Sequence, residues 1–198
     1  AVILLIISII SSIQLSPFFA DLAFIRDSAT PYVEYGVIAI ILTLIIISGE
    51  IDLSIASMIA LTAVIFGTAY NAGISMPMSM IIALLSGTLC GLFNGILVTQ
   101  LKIPSIILTI GTLTLYRGIA QSLASDFSLG GYPSWFIGID YRYVGIVPIP
   151  VIIFTVFAIV VGFFLSSTIY GKQLYLIGTN PQTAKYSGIK VDRIKLLL

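Results

Sequence analysis

The chain of 198 residues contains no histidine and one cysteine, and its nine Lys or Arg and eight Asp or Glu make up only 9% of the sequence. With Cys90 alone and no histidine, no disulfide forms within the chain, and the His/Cys sets that hold zinc are absent. A net charge of +1 without a basic tract leaves no electrostatic footprint for nucleic acid. No catalytic set is present. The only GK pair, Gly171-Lys172, has Ser166 where a P-loop needs glycine and Gln173 where it needs Ser or Thr, so the chain carries no nucleotide motif of its own. Scarce charge also excludes a water-soluble fold, since an ordinary soluble domain is about one-quarter charged.

What is abundant is apolar surface: 59% of the residues, with a mean hydropathy of +1.15. One core of a 198-residue chain cannot hide that much, so lipid must cover the rest. The expected fold is all-α, a polytopic membrane protein. Apolar runs cover Ala1 to Leu15, Val33 to Ser48, Leu53 to Tyr70, Met78 to Gln100, Ile103 to Ala124 and Val147 to Ser167. These predict six spans plus the start of a seventh at Leu196-Leu197-Leu198, all within one transmembrane domain over 1–198 that is truncated at both ends. Ala1 to Leu15 has no preceding basic stretch and no cleavage pattern, so a trimmed membrane helix fits it better than a signal peptide. The run from Val33 covers about 24 Å of helix against a hydrocarbon core of about 30 Å, so either it starts nearer Tyr32 or it is irregular. The polar break Gly49 to Ser54, GEIDLS, belongs at an interface or in a protein-lined cavity.

Basic residues set the orientation. Lys172, Lys185, Lys190, Arg193 and Lys195 gather between Thr168 and Lys195 with Asp192 as the only acid, which marks 168–195 as a cytoplasmic loop. Counting back through the spans puts Lys102 inside as well. The stretch Asp126 to Ile146 then lies outside, where Tyr132, Trp135, Tyr141 and Tyr143 suit an interfacial belt.

Gly87, Gly91 and Gly95 recur every four residues, and such a face lets a neighbouring helix approach closely. Asn94 beside it needs a partner across an interface, as packing glue or as a substrate contact. Gly111, Thr114, Gly118, Gln121 and Ser125 form a small and polar stripe beside Arg117. Arg117 lies about 21 Å along its helix, and a guanidinium there either serves the pathway or anchors at the outer surface. Glu50 and Asp52, the only acids between Tyr35 and Ser125, suit a proton relay, a polar substrate or pairing with Arg117. The plainer role for Asp52 is capping the helix that opens at Leu53, while Glu50 stays open.

In TNPQTAKYSGI, Asn180 is a good N-cap, Pro181 fits the first helical position and Gly188 supplies a left-handed stop. A helix of about two turns is marginal alone and needs a surface to lie on. With Ala184, Tyr186 and Ser187 beside a single Lys185, it is too short and too weakly basic for a lipid anchor, and a docking helix fits better.

These residues resemble the permease subunits of ATP-binding-cassette importers for ribose, rhamnose, autoinducer-2 and related sugars. GEIDLS is similar to that family's GGIDLS element. Gly91-Leu92-Phe93-Asn94-Gly95 with Leu97-Val98, then Ile103-Pro104 with Thr109, Gly111, Thr112, Arg117 and Gly118, match its next blocks in order. Gly171, Tyr175, Gly178, Asn180-Pro181, Ala184 and Ser187-Gly188-Ile189 resemble its cytoplasmic GxxxYAxGxNPxAAxxSGI stretch, so the likeness spans about Tyr35 to Ile189. Glu50 departs from the family's second glycine, Ala56 from the glycine after IDLSV, and Gln182-Thr183 with Lys185-Tyr186 from Glu-Ala with Arg-Leu. The stretch from Leu115 to Phe136 is more similar to rhamnose and autoinducer-2 permeases than to ribose ones.

The resemblance implies a bacterial inner-membrane subunit with a pathway for a sugar-like solute. It pairs with a second permease copy or paralogue, with a binding protein outside and with ATPase subunits inside that use ATP and Mg. Asn180, Pro181, Ala184, Ser187 and Gly188 would then form the coupling helix, and Glu50, Asp52, Asn94 and Arg117 would line the pathway. Alternatives are a branched-chain amino-acid permease of the same superfamily, an ion- or proton-coupled carrier, and an intramembrane enzyme using the carboxylates.

Overall fold

A computed structural model describes residues 2–16, 21, 24, 28, 30–124 and 129–198; Ser125 and Asp126 lie outside these. In chain order the elements are α1 (Val2–Leu15), a 3-10 turn (Thr30–Tyr32), α2 (Val33–Ile47), α3 (Ile55–Asn71), α4 (Met76–Thr99) and α5 (Ser105–Ala124). There follow α6 (Ser134–Tyr141), a hairpin of β1 (Tyr143–Val144) and β2 (Val147–Pro148), α7 (Ile149–Ser167), α8 (Ile169–Thr179), α9 (Pro181–Tyr186) and α10 (Val191–Leu196). The all-α expectation holds, with a helix on each of the six apolar runs. The early start near Tyr32 is also found, because the 3-10 turn runs into α2 and extends the run to 18 residues.

Four of these helices are long and apolar enough to cross a membrane: Thr30–Ile47, Met76–Thr99, Ser105–Ala124 and Ile149–Ser167. The other two of the six, Val2–Leu15 and Ile55–Asn71, are shorter apolar helices. For α3 the cause is local: Leu53 and Ser54 are used in the turn before the helix, so its 17 residues cover only about 26 Å. The chain is a multi-pass membrane protein.

The described residues form two compact units, one of residues 1–37 and 133–160, the other of 38–132 and 161–198. In the first, the hairpin pairs Tyr143 with Pro148 and Val144 with Val147 around Gly145, whose φ of 64° suits glycine. The Phe154 ring lies so close to Gly36 that a Cβ there would stand 2.7 Å from it.

The second unit holds the core. Leu61 of α3 and Tyr116 and Ala120 of α5 are buried together, flanked by Met58, Val64, Ile65 and Cys90. The buried face of α5 is Thr109, Thr112, Tyr116 and Ala120, spaced by three or four residues. The glycine stripe lies elsewhere: a Cβ at Gly111 or Gly118 would meet nothing within 4 Å. Both stripes have helical spacing, and in lipid, spacing alone does not tell which one meets protein. At the far end of α3, Tyr132 packs on Phe66 and Tyr70 with ring centroids 5.3 and 5.4 Å apart, so this tyrosine serves packing, whereas Trp135, Tyr141 and Tyr143 are exposed.

The face of Gly87, Gly91 and Gly95 needs a similar correction. A Cβ at Gly87 would meet Thr62 Cγ2 at 3.2 Å and one at Gly95 would meet Leu196 Cδ1 at 3.1 Å, but one at Gly91 meets nothing within 4 Å. Two of the three glycines admit neighbours, and the middle one faces open space.

The basic segment is more structured than a single helix. Thr168 caps α8, accepting from the Gly171 N–H at 3.1 Å, and α7 turns into α8 so sharply that a Cβ on Gly171 would lie 2.3 Å from the Leu165 carbonyl oxygen. Leu174 and Ile177 of α8 are fully buried, and α8 packs on α9 and α10. Gly178 meets the end of α2, where a Cβ would stand 1.8 Å from the Ile47 carbonyl oxygen. Backbone therefore touches backbone, and no side chain fits between them. Gly178→Ala is expected to destabilise the protein by roughly 1–3 kcal/mol or more, measured as a lower melting temperature and less monodisperse protein in detergent. Gly91→Ala is expected to change neither.

Candidate functional site

The site is built around GEIDLS. Gly49, at φ 83°, ends α2 in the left-handed conformation, and the Glu50 N–H returns to the Ile45 carbonyl at 3.2 Å. Residues 50–54 belong to no helix or strand and would leave bare backbone in the membrane. The side chains of α5 prevent that: Ser105 Oγ accepts from the Ile51 N–H at 3.3 Å, and Thr109 Oγ1 donates to the Ile51 carbonyl at 3.4 Å. The polar break is thus protein-lined, one of the two places predicted for it.

Asp52 closes the break. Its Oδ1 accepts both the N–H and the hydroxyl of Ser54 at 2.7 Å, fixing the residue at the N-cap of α3. Asp52 does not cap the helix directly: the helix opens at Ile55 and not at Leu53, its N-cap is Ser54, and the carboxylate holds that residue from two positions before it. Asn94 Nδ2 donates to Ser54 Oγ at 2.9 Å, and the Tyr116 hydroxyl lies 3.1 Å from Asn94 Oδ1 and 3.0 Å from the Cys90 carbonyl. Asn94 is buried and acts as glue between the break and α5. Sequence reasoning missed Tyr116, although its place in the run Thr109, Thr112, Tyr116, Ala120 was a readable signal.

Glu50 pairs with Lys195 of α10, the two side chains being only 23% and 15% exposed. Lys102, held at φ 56°, pairs with Asp192 at 2.6 Å, and both of these are more than half exposed. Arg117 is exposed and pairs with no carboxylate among the described residues, so the predicted grouping with Glu50 and Asp52 does not form. Glu50, Asp52, Asn94, Gly91, Thr109 and Lys195 line one cavity of about 450 Å³, and Arg117 stands apart from it.

The short helix α9 forms as its caps predict. Asn180 Oδ1 accepts from the Gln182 and Thr183 N–H groups at 3.0 Å, Pro181 opens the helix, Ser187 Oγ donates to the Thr183 carbonyl, and Gly188 has φ 82°. Ala184, however, is 2% exposed and packed within its own unit, so it is not available to a partner. Gln182, Lys185 and Tyr186 form the outward face.

Removing the amide in Asn94→Leu leaves Ser54 and Tyr116 each short of a partner. The expected loss is about 1 kcal/mol, within the roughly 0.6–2 kcal/mol of interhelical hydrogen bonds in membranes. Thermal unfolding in detergent would show it, and Asn94→Leu combined with Tyr116→Phe should cost less than the sum of the two single changes.

Comparison with known proteins follows the same lines. The description of the branched-chain amino acid transport system / permease component family matches residues 24–198. The autoinducer 2 import system permease protein LsrD of Escherichia coli O157:H7 is 36% identical over 196 residues, covering 96% of this chain and 59% of that protein. The proteins of the same name from Escherichia coli strain K12 and Shigella flexneri are 35% identical with the same coverage. The chain thus spans 59% of the length of these curated relatives. No solved structure matches it. The resemblance drawn from GEIDLS, the Asn94 block and the Asn180-Pro181 loop is borne out, and the chain belongs to the branched-chain amino acid transport system / permease component family.

Proposed function

We propose that the full-length protein is the permease subunit of an ATP-binding-cassette importer in a bacterial inner membrane, and that it carries a small sugar-like solute. The observation that carries this reading is mechanical. Segment 168–195 is a folded element whose inner surface bears directly on the polar break at the wall of the cavity, through Gly178 on Ile47 and Lys195 on Glu50. Its outward face carries Gln182, Lys185 and Tyr186. Force applied to that face reaches the cavity through a backbone contact and an ion pair. That is what a passive pathway driven by a separate ATPase requires.

In this reading segment 168–195 faces the cytoplasm, as its basic residues indicate. The ATPase binds and hydrolyses ATP with Mg, and this chain binds neither. A second permease copy or paralogue completes the pathway, and an extracytoplasmic binding protein delivers the solute. Glu50, Asp52 and Asn94 belong to the pathway wall, while Arg117 lies outside it. A sugar-like solute is favoured over a branched-chain amino acid because the relatives matching 96% of the chain are named for autoinducer 2 import. A proton-coupled carrier is less well supported, since Asp52 is held by Ser54, Glu50 by Lys195, and Arg117 is remote from both.

Uptake by proteoliposomes containing the full-length permease is expected only with the ATPase, the binding protein and ATP together. Uptake driven by a proton gradient with the permease alone would overturn the reading. Asn180→Ala should weaken α9 by roughly 0.5–2 kcal/mol. It should therefore lower substrate-stimulated ATP hydrolysis while leaving the amount of permease in the membrane unchanged.

A further inference from the structure

A second void lies beside the first. This cleft of about 720 Å³ is bounded by the α4–α5 loop, α9 and α10, and is lined by Lys102, Pro104, Gln182, Lys185 and Asp192 among others. Four residues line both the cleft and the 450 Å³ cavity: Glu50, Val98, Ser105 and Lys195. They form the partition between the two voids. Val98 and Ser105 belong to helices α4 and α5, and Ser105 is also tied to the break by the Ile51 N–H. Lys195 is the only one of the four that belongs to the 168–195 segment, and at the partition it pairs with Glu50.

We infer that the Glu50–Lys195 ion pair is a gate, the barrier that separates the membrane cavity from the basic-end cleft and parts when α10 moves. The inference rests on the importer reading for its purpose, the release of solute toward the cytoplasm, but its geometry stands on the shared wall. The chemistry suits a gate better than a permanent strut. The pair is sheltered enough to attract strongly across the partition, yet each partner retains some contact with water, so separation does not strand a fully buried charge. Once parted, the carboxylate and the ammonium leave hydrophilic walls along the exit, which a hydroxyl-rich, uncharged solute can pass. The second pair, Lys102 with Asp192, is more than half exposed and holds the outer edge of α10 weakly. α10 is also held by packing on α4, where Leu196 lies over Gly95, but the Glu50–Lys195 pair is the less exposed of its two ion pairs and the one that stands at the partition itself. The departure at position 50, glutamate in place of glycine, acquires a role: it supplies the acidic half of the lock.

The test reads access and needs no transport. In the full-length permease, with Cys90 and any other native cysteine replaced by alanine, Gly91→Cys places a thiol in the cavity where a side chain meets nothing within 4 Å. A charged, membrane-impermeant methanethiosulfonate is applied to inside-out vesicles, and the labelling rate is measured. With the pair intact, labelling should be slow. Glu50→Gln or Lys195→Met should speed it at least tenfold, and the exchange Glu50→Lys with Lys195→Glu should restore the slow rate. Gln182→Cys, on the open cleft, reports reagent delivery and correct folding of the segment, and should label at one rate in every background. Equal labelling at position 91 with and without the pair overturns the gate, as does an exchange variant that stays fast while the control at position 182 is unchanged. Because neither ATPase nor solute is present, a failed gate appears here and a failed importer reading appears in the uptake assay.

Discussion

Two backbones meet where Gly178 of α8 lies on the Ile47 carbonyl and the Gly49 turn, with Gly178 Cα 3.7 Å from an ideal Cβ on Gly49. Much of the functional geometry depends on that approach. It needs a helix with no side chain at one position and a turn at positive φ facing it. It brings the 168–195 segment against the polar break between α2 and α3. With α8 seated there, α10 reaches Glu50 through Lys195, and Leu196 closes over Gly95. A helix that only rested on lipid headgroups would need none of these contacts.

Side chains on both flanks of the polar break answer part of its exposed polar surface. Thr109 and Ser105 satisfy Ile51, Asp52 holds Ser54, Asn94 holds Ser54, and Tyr116 holds Asn94. In hydrocarbon, where apolar contact gives helices little reason to associate, such hydrogen bonds and close-packed small residues supply the specificity. The same network makes α5 the rigid wall of the cavity. The moving parts are therefore expected on the other side, at α10.

Features governed by short-range rules were legible in the sequence. The six apolar helices, the Asn180 cap, the Pro181 start and the Gly188 stop follow from hydropathy and backbone chemistry within a few residues. The polar nature of Gly49 to Ser54 followed from composition alone. Less legible were choices between faces of one helix. Gly91 and the Gly111–Gly118 stripe have the spacing of packing surfaces yet meet nothing, while Thr109, Thr112, Tyr116 and Ala120 with the same period carry the core. Ala184 looked like a partner contact because it is small and lies in the loop motif, yet its smallness serves its own unit. The Glu50–Lys195 pair could not be read at all, since 145 positions separate its members and nothing local links them.

The central claim is that segment 168–195 is where an ATPase takes hold of this permease. Tyr186 is 89% exposed in that segment. The most direct measurement introduces Tyr186→Cys in a full-length permease whose native cysteines, Cys90 included, are replaced by alanine, attaches a thiol-reactive photocross-linker to it, and irradiates the assembled importer without nucleotide and with ATP. A permease–ATPase adduct whose yield changes with nucleotide is the predicted result. An adduct absent in both conditions, in a complex that still transports, would contradict the account.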